Sequence, residues 1–184
     1  TLRTYTSSAT GRRVNSIYHP STKRPSQIEL FMQKSSVSNE SLYTFITTEI
    51  VQELDLEHCY WLSNRILERI GQFCLQLTIL NLQHCSQIVD RTIIVISNGC
   101  PNIISLNLGM CQFITDTALE EVFTNCKGLK VLSIHNCVQV TGSSFHLISN
   151  CKQMEVLDVS YCTKFSDDAL QLVSEYCPSL SHLD

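Results

Sequence analysis

Residues 100–126 read CPNIISLNLGMCQFITDTALEEVFTNC, and this stretch decides the fold. In its first half, Cys100 is followed by Ile103, Leu106 and Leu108, whose alternation predicts a short strand with one buried face. In its second half, Cys111 is followed by Ile114, Leu119 and Val122, spaced as the apolar stripe of a helix that ends near Cys126. Thr115 stands where that helix is capped, and Asp116 lies in its first turn, where the helix dipole favours negative charge. A strand and a helix in so few residues cannot bury their own apolar faces. They have to stack on neighbours of the same kind.

Working outward, those neighbours are present. The ten cysteines form two interleaved series: Cys59, Cys85, Cys111, Cys137, Cys162, and Cys74, Cys100, Cys126, Cys151, Cys177. Every step is 26 residues, or 25 once in each series, a period that marks a leucine-rich solenoid. The strand triplet recurs as Leu77, Leu80, Leu82, as Leu129, Leu132, Ile134, and as Met154, Leu157, Val159. Upstream, Val51, Leu54 and Leu56 repeat it with Thr48 in the cysteine position, and downstream Leu180 and Leu183 begin another unit. The helical half recurs at Phe165-Ser166-Asp167, Leu170 and Val173, and at Val37-Ser38-Asn39, Leu42 and Phe45. Ser63, Thr141 and Ser166 occupy cap positions like that of Thr115, and Asp90, Asp167 and Asp168 lie in first turns. The expectation is an α/β solenoid over 35–184, a horseshoe of roughly 26-residue repeats with short parallel strands on the concave face and helices on the convex face.

The remaining segment, 1–34, carries Arg3, Arg12, Arg13, Lys23, Arg24 and Lys34 against Glu29 alone, a net charge of +5. It is rich in Ser, Thr and Pro, the composition of a poorly ordered arm. With 43% hydrophobic and 16% charged residues, the whole 184-residue chain has the makings of a substantial core. No apolar run nears the roughly 20 residues that span a bilayer, and no leader-like apolar stretch opens the chain, so a cytoplasmic or nuclear protein is expected. The sequence opens at Thr1 and stops at Asp184 inside a repeating pattern, so a longer natural chain is expected.

Ten cysteines raise the question of metal or disulfides. No C-x-x-C pair occurs and every cysteine already has a repeat position, so buried reduced thiols are expected, with neither metal nor cofactor. Phosphate-binding loops, nucleophile elbows and H-E-x-x-H are absent from the sequence, and Arg65, Arg69 and Arg91 fall on the helical side, so no enzyme is expected. Asn39-Glu40-Ser41 is a glycosylation sequon placed at a helix start, and is read as incidental. Candidate binding residues are those that the strand pattern turns outward: Glu53, Asp55, Glu57, Asn81, Gln83, Ser105, Asn107, Ser133, Asp158 and Ser160. At the strand ends His58, His84, Met110, Asn136 and Tyr161 should form a ladder, with His135 one position earlier. This face begins acidic and becomes neutral, which suits a protein partner with a basic patch and repels nucleic acid. Neither a membrane nor a small-molecule substrate is expected. Leu106→Ala or Leu132→Ala should be costly, while Asn107→Ala or Ser133→Ala should cost no more than ~0.5 kcal/mol as surface changes.

The unit C-x-x-L-x-x-L-x-L-x-x-C-x-x-[IVLF]-[ST]-[DN] resembles the cysteine-containing leucine-rich repeats of F-box proteins across 37–184. Phe31-Met32-Gln33, Val37-Ser38-Asn39-Glu40-Ser41 and Val51-Gln52-Glu53-Leu54-Asp55-Leu56, followed by Cys59, are similar to the start of the repeats in the family of mitotic exit network antagonists. That resemblance implies a cell-cycle regulator that binds a component of a small-GTPase pathway. The broader one implies a receptor that presents substrates to a cullin ubiquitin ligase, with an F-box upstream of residue 1. No F-box pattern of Leu-Pro followed by Ile-Phe precedes the repeats here.

Overall fold

A computed structural model describes residues 37–48 and 50–184. The basic stretch 1–34 and the Phe31-Met32-Gln33 motif lie outside the described residues. Helix and strand alternate: α1 (Asn39–Thr48), β1 (Glu53–Asp55), α2 (Asn64–Phe73), β2 (Ile79–Asn81), α3 (Asp90–Gly99), β3 (Ser105–Asn107), α4 (Asp116–Asn125), β4 (Val131–Ser133), a 3₁₀ helix (Ser143–Asn150), β5 (Val156–Asp158), α5 (Asp167–Tyr176) and β6 (His182–Leu183). The strands pair in chain order as one parallel sheet, which sets Leu54, Leu80, Leu106, Leu132, Leu157 and Leu183 side by side. This is the α/β leucine-rich repeat solenoid that the period predicts. Strands sit ~4.8 Å apart but helices need ~8–10 Å, so the stack bends with the sheet inside the curve.

Between sheet and helices lies one continuous core. Leu54, Leu80, Leu106, Leu132 and Leu157 are buried in it, and Leu183, at the open end of the stack, is 49% exposed. Leu170 on α5 is also exposed at that end, whereas Leu119, its equivalent one full repeat pair earlier, is buried. Phe145 packs edge-on between Phe123 and Phe165, with ring centroids 5.1 and 4.9 Å away. All ten cysteines are buried free thiols.

Those thiols do more than fill space. In the first series four Sγ atoms donate to strand-end carbonyls of the preceding repeat: Cys85 to Leu56 O (3.1 Å), Cys111 to Leu82 O (3.3 Å), Cys137 to Leu108 O (3.2 Å) and Cys162 to Ile134 O (3.0 Å). In the second series Cys100 donates to Cys74 O (3.3 Å), Cys126 to Cys100 O (3.7 Å) and Cys151 to Cys126 O (3.5 Å). A small apolar side chain that also carries a weak donor suits a core position facing a carbonyl, and this accounts for the residue type at both periods.

The helical halves depart from expectation in two places. The 25-residue steps, Cys126 to Cys151 and Cys137 to Cys162, overlap at 137–151, so one residue is missing from the fifth helical half. There the chain forms the 8-residue 3₁₀ helix instead of a 10-residue α-helix. At ~2.0 Å rise per residue it spans ~16 Å, close to the ~15 Å of ten α-helical residues, so the tighter winding keeps the stack in phase. The second departure concerns the caps. Thr115 and Ser166 accept bonds from Thr117 N and Ala169 N as a cap should, but Ser63 makes no cap bond, and the residue flanking the 3₁₀ helix is Gly142.

Asp90 and Asp116, expected in first turns for the helix dipole, also join one repeat to the next, as do Asn39 and Asn64. Asn39 Oδ1 accepts from Ser63 N (3.0 Å), and Asn64 Oδ1 from Val89 N (3.4 Å) and Thr92 Oγ1 (2.7 Å). Asp90 accepts from the backbone N (2.8 Å) and hydroxyl (2.6 Å) of Thr115. Asp116 accepts from Thr141 N (2.8 Å), Gly142 N (3.0 Å) and Ser144 N (3.1 Å), and from the hydroxyls of Thr141 and Ser144. The next position is Gly142, which has no side chain to continue the ladder, and Ser166 N bonds to Thr141 O (3.0 Å) instead. Gly142 has φ +89, and a Cβ there would lie 2.5 Å from that of Ala169.

Candidate functional site

The parallel register brings the outward residues into rows across the strands. One row is Asp55, Asn81, Asn107, Ser133 and Asp158; the row before it is Glu53, Ile79, Ser105, Val131 and Val156. Beyond the strands follow Glu57, Gln83, Gly109, His135 and Ser160, then His58, His84, Met110, Asn136 and Tyr161. All the outward residues expected from the pattern therefore share the concave face. Half-buried Ile79, Val131 and Val156 fall outside the expected outward set, which named only polar residues of the strands. Their offset of one position from the buried leucines was the available signal.

The second row has a structural task that its surface position concealed. Asp55 Oδ1 accepts from Glu57 N (3.0 Å), Asn81 Oδ1 from Gln83 N (3.0 Å), Asn107 Oδ1 from Gly109 N (2.9 Å) and Asp158 Oδ1 from Ser160 N (3.1 Å). Each is a side chain bonding the backbone two residues on, which starts the bend at the strand end. Asn107 Nδ2 also donates to Gln83 Oε1 (2.9 Å), while Ser133 donates to Asp158 Oδ2 (3.1 Å). Asn107 and Ser133 are thus not the indifferent surface residues that their position implies.

After the bend comes a left-handed residue in every repeat: His58 (φ 64), His84 (φ 61), Met110 (φ 65), Asn136 (φ 54) and Tyr161 (φ 60). This conformation is disfavoured for L-residues by roughly 1–2 kcal/mol, and of the five only Asn136 and the two histidines are of types enriched there. It is held by bonds to the next repeat: His58 N to Gln83 O (2.8 Å), His84 N to Gly109 O (2.9 Å), Met110 N to His135 O (2.7 Å) and Asn136 N to Ser160 O (2.8 Å). Five successive side chains consequently project from one rim. The rings of His58 and His84 stack with centroids 4.1 Å apart, and His58 Nε2 lies 3.5 Å from Glu57 Oε1. Further along, Asn136 Nδ2 donates to Met110 Sδ (3.0 Å), His135 shares a hydrogen bond with Ser160 Oγ (2.8 Å), and its ring meets that of Tyr161 edge-on at 5.2 Å. The rim continues into Tyr60, Trp61 and Phe113, all exposed, and Tyr161 is 64% exposed. It is a strip of aromatic, imidazole and thioether side chains on a rigid backbone.

The thiols offer no comparable chemistry. Burial pushes Cys85, Cys126, Cys137 and Cys151 up to about 12 and Cys100 to about 11, so they stay protonated and unreactive near neutrality. For Asp116, burial would raise the pKa, but the bonds from Thr141 and Ser144 outweigh it and hold the carboxyl below its usual value. The shallow depression between α1 and α2, lined by Asn39, Tyr43, Ser63, Arg65, Ile66 and Arg69, is on the opposite, helical side.

A leucine-rich repeat family matches residues 99–123, the stretch that set the period. No curated protein matches the sequence. Among solved structures the chain is similar to one in the complex of Rad7 and Elc1 from yeast, with TM-score 0.75 and 20% identity over 82% of this chain. It spans 40% of the length of that yeast chain. The tropomodulin C-terminal domain of Caenorhabditis elegans aligns with TM-score 0.58 and 14% identity over 78% of this chain and 93% of its own. Actin-binding site 2 of leiomodin-1 aligns with TM-score 0.57 and 16% identity over 77% of this chain and 86% of its own. At these identities the likeness is one of fold.

Proposed function

We propose that this chain is a non-catalytic protein-binding module that holds its partner on the concave face and its rim, and acts in mitotic exit by occupying a regulatory protein of a small-GTPase pathway. The observation that carries the binding role is the rigid projection of His58, His84, Met110, Asn136 and Tyr161 along one rim, beside the half-buried row of Ile79, Val131 and Val156. A backbone conformation repeated at five equivalent places sets where a row of large side chains projects, which leaves only their rotamers to be ordered at binding. The cell-cycle role draws on the resemblance of the first repeat to mitotic exit antagonists. Buried protonated thiols fit a reducing cytoplasm or nucleus.

A second reading, a substrate receptor of a cullin ubiquitin ligase, draws on the repeat's resemblance to F-box proteins and on the fold likeness to a chain of the Rad7–Elc1 complex. Affinity purification with mass spectrometry separates the two when the wild-type chain is run beside Ile79→Lys with Tyr161→Asp, and beside Arg65→Glu with Lys127→Glu on the helical side. A GTPase-pathway protein lost from the first variant and kept by the second supports the occupancy role. Co-purified cullin and adaptor favour the ligase. Partners lost only from the helical-side variant would overturn the use of the concave face. Asp55, Asn81, Asn107 and Asp158 are left alone because they hold the strand-end bends.

A further inference from the structure

The four outward rows from Glu53 to Asp184 contain no Lys or Arg; their charged residues are Glu53, Asp55, Glu57, Asp158 and Asp184. Three of these five acids crowd the first repeat. The stretch 1–34 carries the opposite charge, a net +5. At the first described residue after that stretch, the Trp61 indole N–H donates to Val37 O at 2.6 Å. Trp61 stacks edge-on with Tyr60, ring centroids 5.0 Å apart, on the loop that leaves Glu57 and His58. Val37, the first described residue after the basic stretch, is therefore held at the rim of the same repeat that bears the acidic cluster.

We infer that residues 1–34 are an intramolecular ligand of the concave face, with Lys23 and Arg24 set against Glu53, Asp55 and Glu57. Reach permits this, since the thirteen Cα-to-Cα steps from Arg24 to Val37 span at most about 45 Å, while six strands at about 4.8 Å spacing make a sheet only about 24 Å wide. Tethering adds effective concentration, so weak charge pairing suffices for occupancy. Salt releases the contact, because the screening length falls from about 10 Å at 0.1 M to about 3 Å at 1 M. If the concave face is the partner site proposed above, the basic stretch competes there, and only a partner with stronger positive charge or apolar anchors displaces it. The contact itself is tested without any partner.

Zero-length carbodiimide cross-linking of the full chain, read by mass spectrometry of the monomer band, couples lysines only to carboxylates they touch. Lys23 is expected to join Glu53, Asp55 or Glu57 at low salt and to lose those links in 1 M NaCl. The sole tryptophan gives a second readout. Acrylamide quenching of Trp61 should rise about twofold between low and high salt in the wild type, and should be high and salt-independent in the variant Arg12→Ser, Arg13→Ser, Lys23→Ser, Arg24→Ser. Glu53→Lys with Glu57→Lys should behave like that variant, and reversing the arm charges (Arg12→Glu, Arg13→Glu, Lys23→Glu, Arg24→Glu) on that background should restore salt-sensitive protection. Links from Lys23 that appear only in dimers would assign the contact to a second copy and overturn the inference. So would the absence of links to the first repeat together with salt-independent quenching in the wild type.

Discussion

Asn107 shows how a residue can face solvent and still belong to the framework. Its Oδ1 caps Gly109 N and its Nδ2 bonds Gln83, so Asn107→Ala removes two side-chain hydrogen bonds, at a net cost of about 1–2 kcal/mol in urea denaturation. Ser105→Ala, on the same face but outside the bend, should stay within about 0.5 kcal/mol. Equal midpoints for the two variants would show that the bend does not need its side-chain bond. Beneath them Leu106→Ala should cost about 2–5 kcal/mol, because it empties a site at the centre of the shared core. At Met110, φ 65 makes a β-branched side chain strained, so Met110→Val should lose about 1–2 kcal/mol more than Met110→Ala. The inside-outside assignment was legible from alternation alone. The strand-end bends were not, because a bond from residue i to the backbone two residues on leaves no periodic trace of its own. Its trace is the recurrence of Asp or Asn at 55, 81, 107 and 158, which on a solvent-facing row looks the same as hydrophilic residues with no partner in the chain.

At the scale of elements, the sequence located each helix but misjudged what its first residue does. Dipole logic put Asp90 and Asp116 in first turns, where they are, yet both carboxylates reach the loop of the next repeat and so act between elements. Asp116 is the better-bonded of the two, and its carboxyl is held below the usual 3.8 by bonds that exist only in the folded chain. A depressed folded pKa means that the unfolded chain takes up the proton first. Asp116 therefore stabilises fully above its unfolded value and loses its contribution as the pH falls through its lower folded value. Asp116→Asn should flatten the acid limb of a stability-against-pH profile measured by thermal unfolding between pH 2 and 6. An unchanged limb would remove Asp116 as a contributor. The α2–α3 pair has a different constraint, since a Cβ on Gly99 would lie 1.7 Å from Gly71 O. Gly99→Ala should therefore destabilise despite the better helix propensity of alanine, because the two helices have to move apart. The 3₁₀ helix was legible only as a missing residue; that the backbone would wind tighter instead of leaving the stack follows from the fixed repeat length imposed by the sheet.

Across the whole molecule, stability is shared between neighbouring repeats, and the cysteines make that sharing sensitive to alkali. Nine of the ten thiols have pKa values raised, chiefly by burial, from an ordinary 9.0, five of them to about 12. Between pH 9 and 12 the folded chain keeps protons that the unfolded chain releases. Stability is therefore intact below pH 9 and falls as the pH rises, by roughly 1.4 kcal/mol per thiol for each pH unit above the unfolded value. Neighbouring thiols add to the effect, since the charge of Cys59 would oppose ionisation of Cys85, and those of Cys137 and Cys85 that of Cys111. One repeat cannot release its protons without loosening the repeats beside it. Urea midpoints measured with reductant present at pH 8, 9 and 10 should drop steeply over the last step, with thiol modification appearing in the same transition. In Cys111→Ala with Cys137→Ala the drop should be shallower even though the starting midpoint is lower. A midpoint unchanged up to pH 10 would mean that the thiols ionise without unfolding, and that the two cysteine ladders do not bind one repeat to the next.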